Sequence, residues 1–203
     1  MTRTGFFVYS ASGSSAARET QNMHEKTIGK KTVFEGRILS LDVLTVELAD
    51  GRTGTREIIR HGAAVAVIAR RRDGRFVFIR QFRKAMERIC FEVMAGNVDP
   101  GEEMEAAAVR ELKEETGYTP DSIRFLSSIY PSVGYCTERI DIFYADVHEP
   151  GETDFDQDEN IETILVTEEE MDDLIRAGKV QDAKTLAAWM LYKISNIEQG
   201  TAE

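Results

Sequence analysis

The sequence predicts an α+β fold, a sandwich in which helices cover a mixed β-sheet. Three observations predict it. Strand-like stretches lie before, between and after one strongly patterned helix that runs from near Glu102 to Gly117. Ala63 to Ala69 (AAVAVIA) is a continuous apolar run, as expected of a strand covered on both faces. Two further helical stretches close the chain. At 203 residues, 42% apolar and 30% charged, the chain suits one compact domain, or one domain with a small appendage.

Residues 1–25 read as a disordered extension. The first 22 are rich in Ser, Ala and Thr, and their one apolar patch, Gly5 to Tyr9, is too short for a signal-peptide core. Met23 offers an alternative start. Residues 26–60 form a small antiparallel sheet: Thr32-Val33-Phe34, Ile38-Leu39 and Leu41 to Leu48 favour strand, Asp50-Gly51 is a hairpin turn, and Thr55 to Arg60 returns. Three strands alone cannot bury both faces, so this sheet packs on the main body or on a second subunit.

Residues 61–197 hold the main domain, and 198–203 are a tail. After Ala63 to Ala69 come the turn Asp73-Gly74, a strand from Arg75 to Phe82, a basic loop from Arg83 to Arg88, and Ile89 to Met94 leading into Ala95-Gly96. Asp99-Pro100-Gly101 then turns the chain into the patterned helix, which Gly117 stops. Ser122 to Tyr130 and Ile140 to Val147 read as strands, joined by a loop from Pro131 to Glu138 that can line a pocket. Seven acids crowd residues 149–162, most of them read as solvated. Ile164 to Val166 is a short strand. Thr167 and Glu170 form a capping box for a helix that ends at Gly178. Val180 to Ile197 is a final helix with Leu186, Trp189, Met190, Tyr192 and Ile194 on its core side.

Composition narrows the partners. A net charge of −11 and a pI of about 4.9 argue against nucleic acid, which needs a basic footprint. No apolar run approaches the roughly 18 residues of a membrane span. Cys90 and Cys136 form no close pair and read as free thiols of a cytoplasmic protein.

In the patterned helix Glu111, Glu114 and Glu115 stand at i, i+3 and i+4, so three carboxylates share one face. Their repulsion calls for a positive partner, and a hard divalent cation with oxygen ligands suits them, Mg²⁺ above all beside phosphates. Met104, Ala107, Ala108 and Leu112 supply an apolar stripe on another side. That lets the helix dock on a sheet while its acids face a cleft.

The full stretch reads Gly96-x5-Glu102-x7-Arg110-Glu111-Leu112-x-Glu114-Glu115-x-Gly117-Tyr118. It resembles the signature of the Nudix hydrolases at all seven identity-fixed positions. At about 7% per residue type, chance agreement is on the order of 10⁻⁸ per window. Tyr118 stands where the pattern prefers an aliphatic residue. Leu48 to Gly51, Arg56-Glu57, Ala64 to Val67, Gln81-Phe82-Arg83, Glu92 to Gly96 and Asp182-Ala183-Lys184-Thr185 all look like the ADP-ribose pyrophosphatase branch. Met94 replaces a proline usual in that branch, and Val133 replaces another; both positions shape the pocket rather than hold metal.

The resemblance implies the Nudix α/β/α sandwich and Mg²⁺-dependent hydrolysis, with Mn²⁺ as the alternative ion. The substrate it implies is a nucleotide sugar, foremost ADP-ribose. It implies Glu111, Glu114, Glu115 and the Ala95 carbonyl as metal ligands, and Arg83, Arg56 and Glu138 on the substrate. Glu102 and Arg110 are expected to form a structural ion pair beside Gly96 and Gly117. Glu159 is the expected general base, with Asp158, Glu162 and Glu138 as competitors. A homodimer through residues 30–60 is expected. GDP-mannose is the alternative substrate, and a binding module without turnover is the alternative class.

Overall fold

The computed structural model describes residues 24–153 and 160–200, with side chains to residue 195. Residues 1–23 of the expected extension, together with Asp158 and Glu159, lie outside the described residues.

The chain begins with the small sheet: β1 (Lys26–Glu35), β2 (Leu39–Glu47) and β3 (Thr53–His61), all antiparallel. The Asp50-Gly51 turn joins β2 to β3, with Leu48 N donating to Arg52 O at 2.8 Å. Only β2 of this sheet has deeply covered positions, Asp42, Leu44 and Val46. Asp42 survives burial because Lys30, Thr32 and Arg60 surround its carboxylate. Those partners, Lys30 first, hold its pKa down to about 2 against the opposing effect of burial.

The large sheet contains β4 (Ala63–Arg71), β5 (Phe76–Arg83), β6 (Arg88–Glu92), β7 (Met94–Asn97), β8 (Pro120–Ile129), β9 (Arg139–Val147) and β10 (Ile161–Val166). Its backbone order is β10-β5-β4-β9-β8, with β6 on β5 and β7 on β4. β4 pairs with β9 in parallel, from Ala63 with Arg139 to Arg71 with Val147. The neighbouring ladders are antiparallel, so the sheet is mixed.

Side chains that alternate along the strands build two cores. Ala64, Ala66 and Ile68 of β4 pack with Phe76, Phe78, Ile140 and Ile142 toward Met171, Trp189 and Tyr192. Val65, Val67 and Ala69 pack with Val77, Ile79 and Phe143 toward Ala107, Ala108 and Leu112. The first core lies under α2 (Glu168–Arg176) and α3 (Ala183–Gly200), the second under α1 (Met104–Thr116). This is the expected helix–sheet–helix sandwich, and it explains the unbroken apolar run in β4.

The capping box of α2 is present: Glu170 N donates to Thr167 Oγ1 at 3.1 Å and Thr167 N to Glu170 Oε2 at 2.8 Å. Trp189 is core, 4% exposed, with its indole N–H on Asp172 at 2.7 Å. Met190 and Ile194 depart from expectation; they are 56% and 48% exposed. Ala188, Trp189 and Tyr192 face the sheet and Leu186, Ala187 and Leu191 pack partly against it, which leaves Met190 and Ile194 on the outer side. Boundaries differ as well: β10 begins at Ile161 and α3 at Ala183, and the basic loop holds a short 3₁₀ turn at Lys84–Met86.

Candidate active site

Helix α1 lies over β7 and β4, and the closest approach is at Gly96. A Cβ there would sit 2.0 Å from Glu111 Cδ. Only glycine lets the Glu111 carboxylate rest against the backbone of β7, the strand that carries Ala95. Glu115, one turn on, is 4% exposed. At the far end Gly117 adopts φ 75°, and a Cβ there would meet Gly151 O at 2.6 Å. Tyr118 beyond it is 2% exposed, so the aromatic ring fills its aliphatic position as core.

Arg110 binds the loop to the helix. Its Nε and Nη2 donate to the two oxygens of Glu102, both at 2.9 Å, and Nη2 also reaches Asn97 O at 3.1 Å. Glu102 Oε2 accepts the N–H of Asp99 at 3.0 Å. These bonds, Arg110 first, hold the Glu102 pKa down to about 2. Arg110 Nη1 donates to Glu111 Oε1 at 2.8 Å and to Glu114 Oε2 at 3.0 Å. The cation that the glutamate face calls for is therefore supplied in part from within. Among the described residues no three carboxylate, imidazole or thiol side chains stand together as a ready-made metal cage.

Arg83 ends β5. Its Nε and Nη2 donate to the two oxygens of Glu92, each at 2.7 Å. Val77 and Ile79 face α1, and the same alternation carries Arg83 to that face. Its charge is stabilised first by Glu92 and further by Glu115 and Asp182, so Arg83 and Glu115 lie within electrostatic reach. Glu92 is 2% exposed. Burial alone would raise its pKa, but Arg83 and Lys184 outweigh burial and lower it.

A cavity of about 610 Å³ opens beside Arg83, between the 3₁₀ turn, β6 and the start of α3. Arg83, Arg88, Lys179 and Lys184 line it together with Glu92 and Asp182. In a chain of net charge −11 this is a local excess of positive charge.

The remaining candidates lie elsewhere. Arg56 pairs with Glu25 through Nε at 2.9 Å and is not part of that lining. Glu138 stands 3.9 Å from His61 Nδ1, where the small sheet joins the loop before β9. There Ile59 N donates to Tyr135 O at 2.7 Å and Thr137 N to Ile59 O at 3.0 Å. Glu162 pairs with Arg80 at 2.6 Å on an exposed strand position. Glu92, Lys184 and Thr185 had no assigned role from sequence, although both of their segments carried the branch resemblance.

Comparison with known proteins decides the family. Residues 60–190 match the NUDIX domain, and residues 25–59 match the nucleoside diphosphate sugar hydrolase N-terminal domain. The chain belongs to the Nudix hydrolases. It is 39% identical to the ADP-ribose pyrophosphatase of Bacillus subtilis (strain 168) over 170 residues, 83% of this chain and 92% of that protein. That match bears out the branch read from the sequence. The methanol dehydrogenase activator of Bacillus methanolicus is 38% identical over 81% of this Nudix chain and 90% of its own. A crystal structure of an ADP compounds hydrolase shares the fold, with a TM-score of 0.79, 24% identity, and coverage of 87% and 96%.

Proposed function

We propose that this Nudix hydrolase cleaves the diphosphate of a nucleoside diphosphate sugar, with ADP-ribose giving AMP and ribose 5-phosphate. One observation carries the reading: the alternation of β5 puts Arg83, a cation suited to phosphate, on the sheet face that α1 covers with its glutamates.

A divalent cation fits the residues present. The donors are all hard oxygens, and Gly96 leaves the Glu111 carboxylate room against the strand that bears the Ala95 carbonyl. Glu111, Glu114, Glu115 and Ala95 would hold it. When bound, Mg²⁺ or Mn²⁺ supplies charge neutralisation and polarisation of the phosphoryl oxygens. Acids alone would repel a polyanion. Arg110 and Glu102 fix the loop so that the glutamates keep their places, and Arg83 clamps the diphosphate. Water attacks one phosphorus, the bridging P–O bond breaks, and two phosphomonoesters leave.

Attack needs a group that takes the water proton. Glu159 is our candidate. The described residues that flank its segment support it: Gly151 N donates to Gly117 O at 2.8 Å, at the end of α1, and Ile161 pairs with Gln81, two residues from Arg83. Glu162 is less suited, because it shares its position with Arg80 at the surface.

Ile28, Val33 and Phe34 of β1 and Ile38 in the bend before β2 are 50%, 47%, 55% and 57% exposed, which supports a homodimer formed through residues 26–60. Arg56 and Glu138 would then serve a composite substrate site. Free, half-buried Cys90 and Cys136 support a reducing, cytoplasmic setting. Among the described residues no helix is long and apolar enough to cross a membrane.

The test is a panel of nucleotide sugars with Mg²⁺, read by phosphate release after phosphatase coupling and by product identification. ADP-ribose yielding AMP and ribose 5-phosphate is expected. Faster turnover of GDP-mannose would reassign the substrate, and binding without turnover across the panel would overturn the enzyme reading.

A further inference from the structure

Glu92 has two cationic partners that differ in freedom. Lys184 reaches Glu92 Oε2 and lies 3.1 Å from Asp182 Oδ2. Its side chain is 13% exposed. Asp182 caps α3 by accepting from Thr185 N at 3.0 Å and Thr185 Oγ1 at 2.6 Å. Thr185 Oγ1 in turn accepts the N–H of Val93 at 2.8 Å. Lys184 is therefore fixed by the start of α3 and by the strand run that follows Glu92. Arg83, the other partner, keeps 40% of its side chain exposed at the cavity mouth.

A buried carboxylate can release one of two cations, because the other still neutralises it. Release of a sole partner would strand the charge, which is strongly unfavourable. We infer that Lys184 is a positioning residue for Arg83. By keeping Glu92 neutralised, it lets the Arg83 guanidinium exchange Glu92 for a phosphoryl group. The exchange trades one bidentate, charge-assisted pair for another of the same kind, so it needs little driving force. Asp182 holds Lys184 from the far side. The inference rests on the reading of Arg83 as the diphosphate clamp.

The test uses the full chain, with metal-free ADP binding by calorimetry and KM and kcat for ADP-ribose with Mg²⁺. Lys184→Met leaves Arg83 as the only counter-charge of Glu92 and so holds it there. Weakening of ADP binding by about tenfold is expected, carried by KM more than by kcat. Lys184→Arg should keep wild-type binding. Glu92→Gln added to Lys184→Met should restore it, because a neutral amide in place of the carboxylate no longer retains Arg83. A purely structural role predicts the reverse, with the double variant worse than the single. Binding within twofold of wild type in Lys184→Met, or no restoration in a folded double variant, overturns the inference. Should the double variant fail to fold, equal binding by Lys184→Met and Lys184→Arg overturns it instead. An Arg83→Met variant that binds ADP normally would remove the clamp reading and this inference with it.

Discussion

Two charge clusters flank the candidate site, and they are built with opposite signs. On α1, the glutamates Glu102, Glu111 and Glu114 gather around one arginine, Arg110. Beside the cavity, Arg83 and Lys184 gather around one glutamate, Glu92. The central residue differs in exposure: the Arg110 side chain is 30% exposed, that of Glu92 2%. The acidic cluster keeps its shared cation partly in solvent. The basic cluster has a buried centre and can trade only at its rim, through Arg83. A site that must bring a metal and a phosphate together gains from one cluster of each sign.

The largest expected effect lies on the acidic side. Glu115→Gln should lower kcat for ADP-ribose by about 10³-fold with Mg²⁺ saturating, since an amide is a poor ligand for a hard cation. Activity within tenfold of wild type would remove Glu115 from the site.

Gly96→Ala comes next. The new methyl group would collide with the Glu111 carboxylate, so kcat should fall about 10²-fold with the fold retained by circular dichroism. Unchanged turnover would show that the Glu111 contact with β7 is incidental.

Removing the two central residues should separate the clusters by stability. Glu92→Ala strips Arg83 of its bidentate partner and leaves Lys184 with Asp182 alone, and should cost about 2 to 3 kcal/mol by urea unfolding, less than for a fully buried pair because Arg83 is partly in water. Arg110→Ala, nearer solvent, should cost about 1 kcal/mol. Equal costs would break the comparison.

The smallest effect is on pH dependence. The Glu102 carboxyl ionises at about 2 when folded, against an ordinary 4.5. Its contribution to stability is complete above 4.5 and disappears as pH falls toward about 2. Glu102→Gln should therefore flatten the acid limb of the stability profile relative to wild type. An identical acid limb would place that loss in other carboxylates.

The difference between the clusters also explains what the sequence could disclose. The acidic one is local. Gly96 to Gly117 are neighbours in the chain, so spacing alone put three carboxylates on one face, and the resemblance carried by the same stretch paired Arg110 with Glu102. The apolar run of β4 and the Thr167 capping box were legible for the same reason. The basic cluster joins Glu92 to Lys184 across 92 positions, and nothing in either segment's periodicity announces that contact. Met190 and Ile194 misled because helical periodicity marks an apolar face without showing how wide a strip the sheet will cover. Arg56 and Glu138 could be named by resemblance, but their places depend on how the small sheet is seated.

The parallel β4–β9 ladder has a consequence in time. It fastens residues 63–71 to residues 139–147, so β5, β6, β7 and α1 all lie on one closed loop of chain. Helix α1 can form from local contacts in microseconds, whereas closing that loop waits on a distant encounter. During refolding, helical signal should return first and hydrolysis only with the ladder. A newly made chain would thus carry its glutamates in order well before it could turn over a substrate.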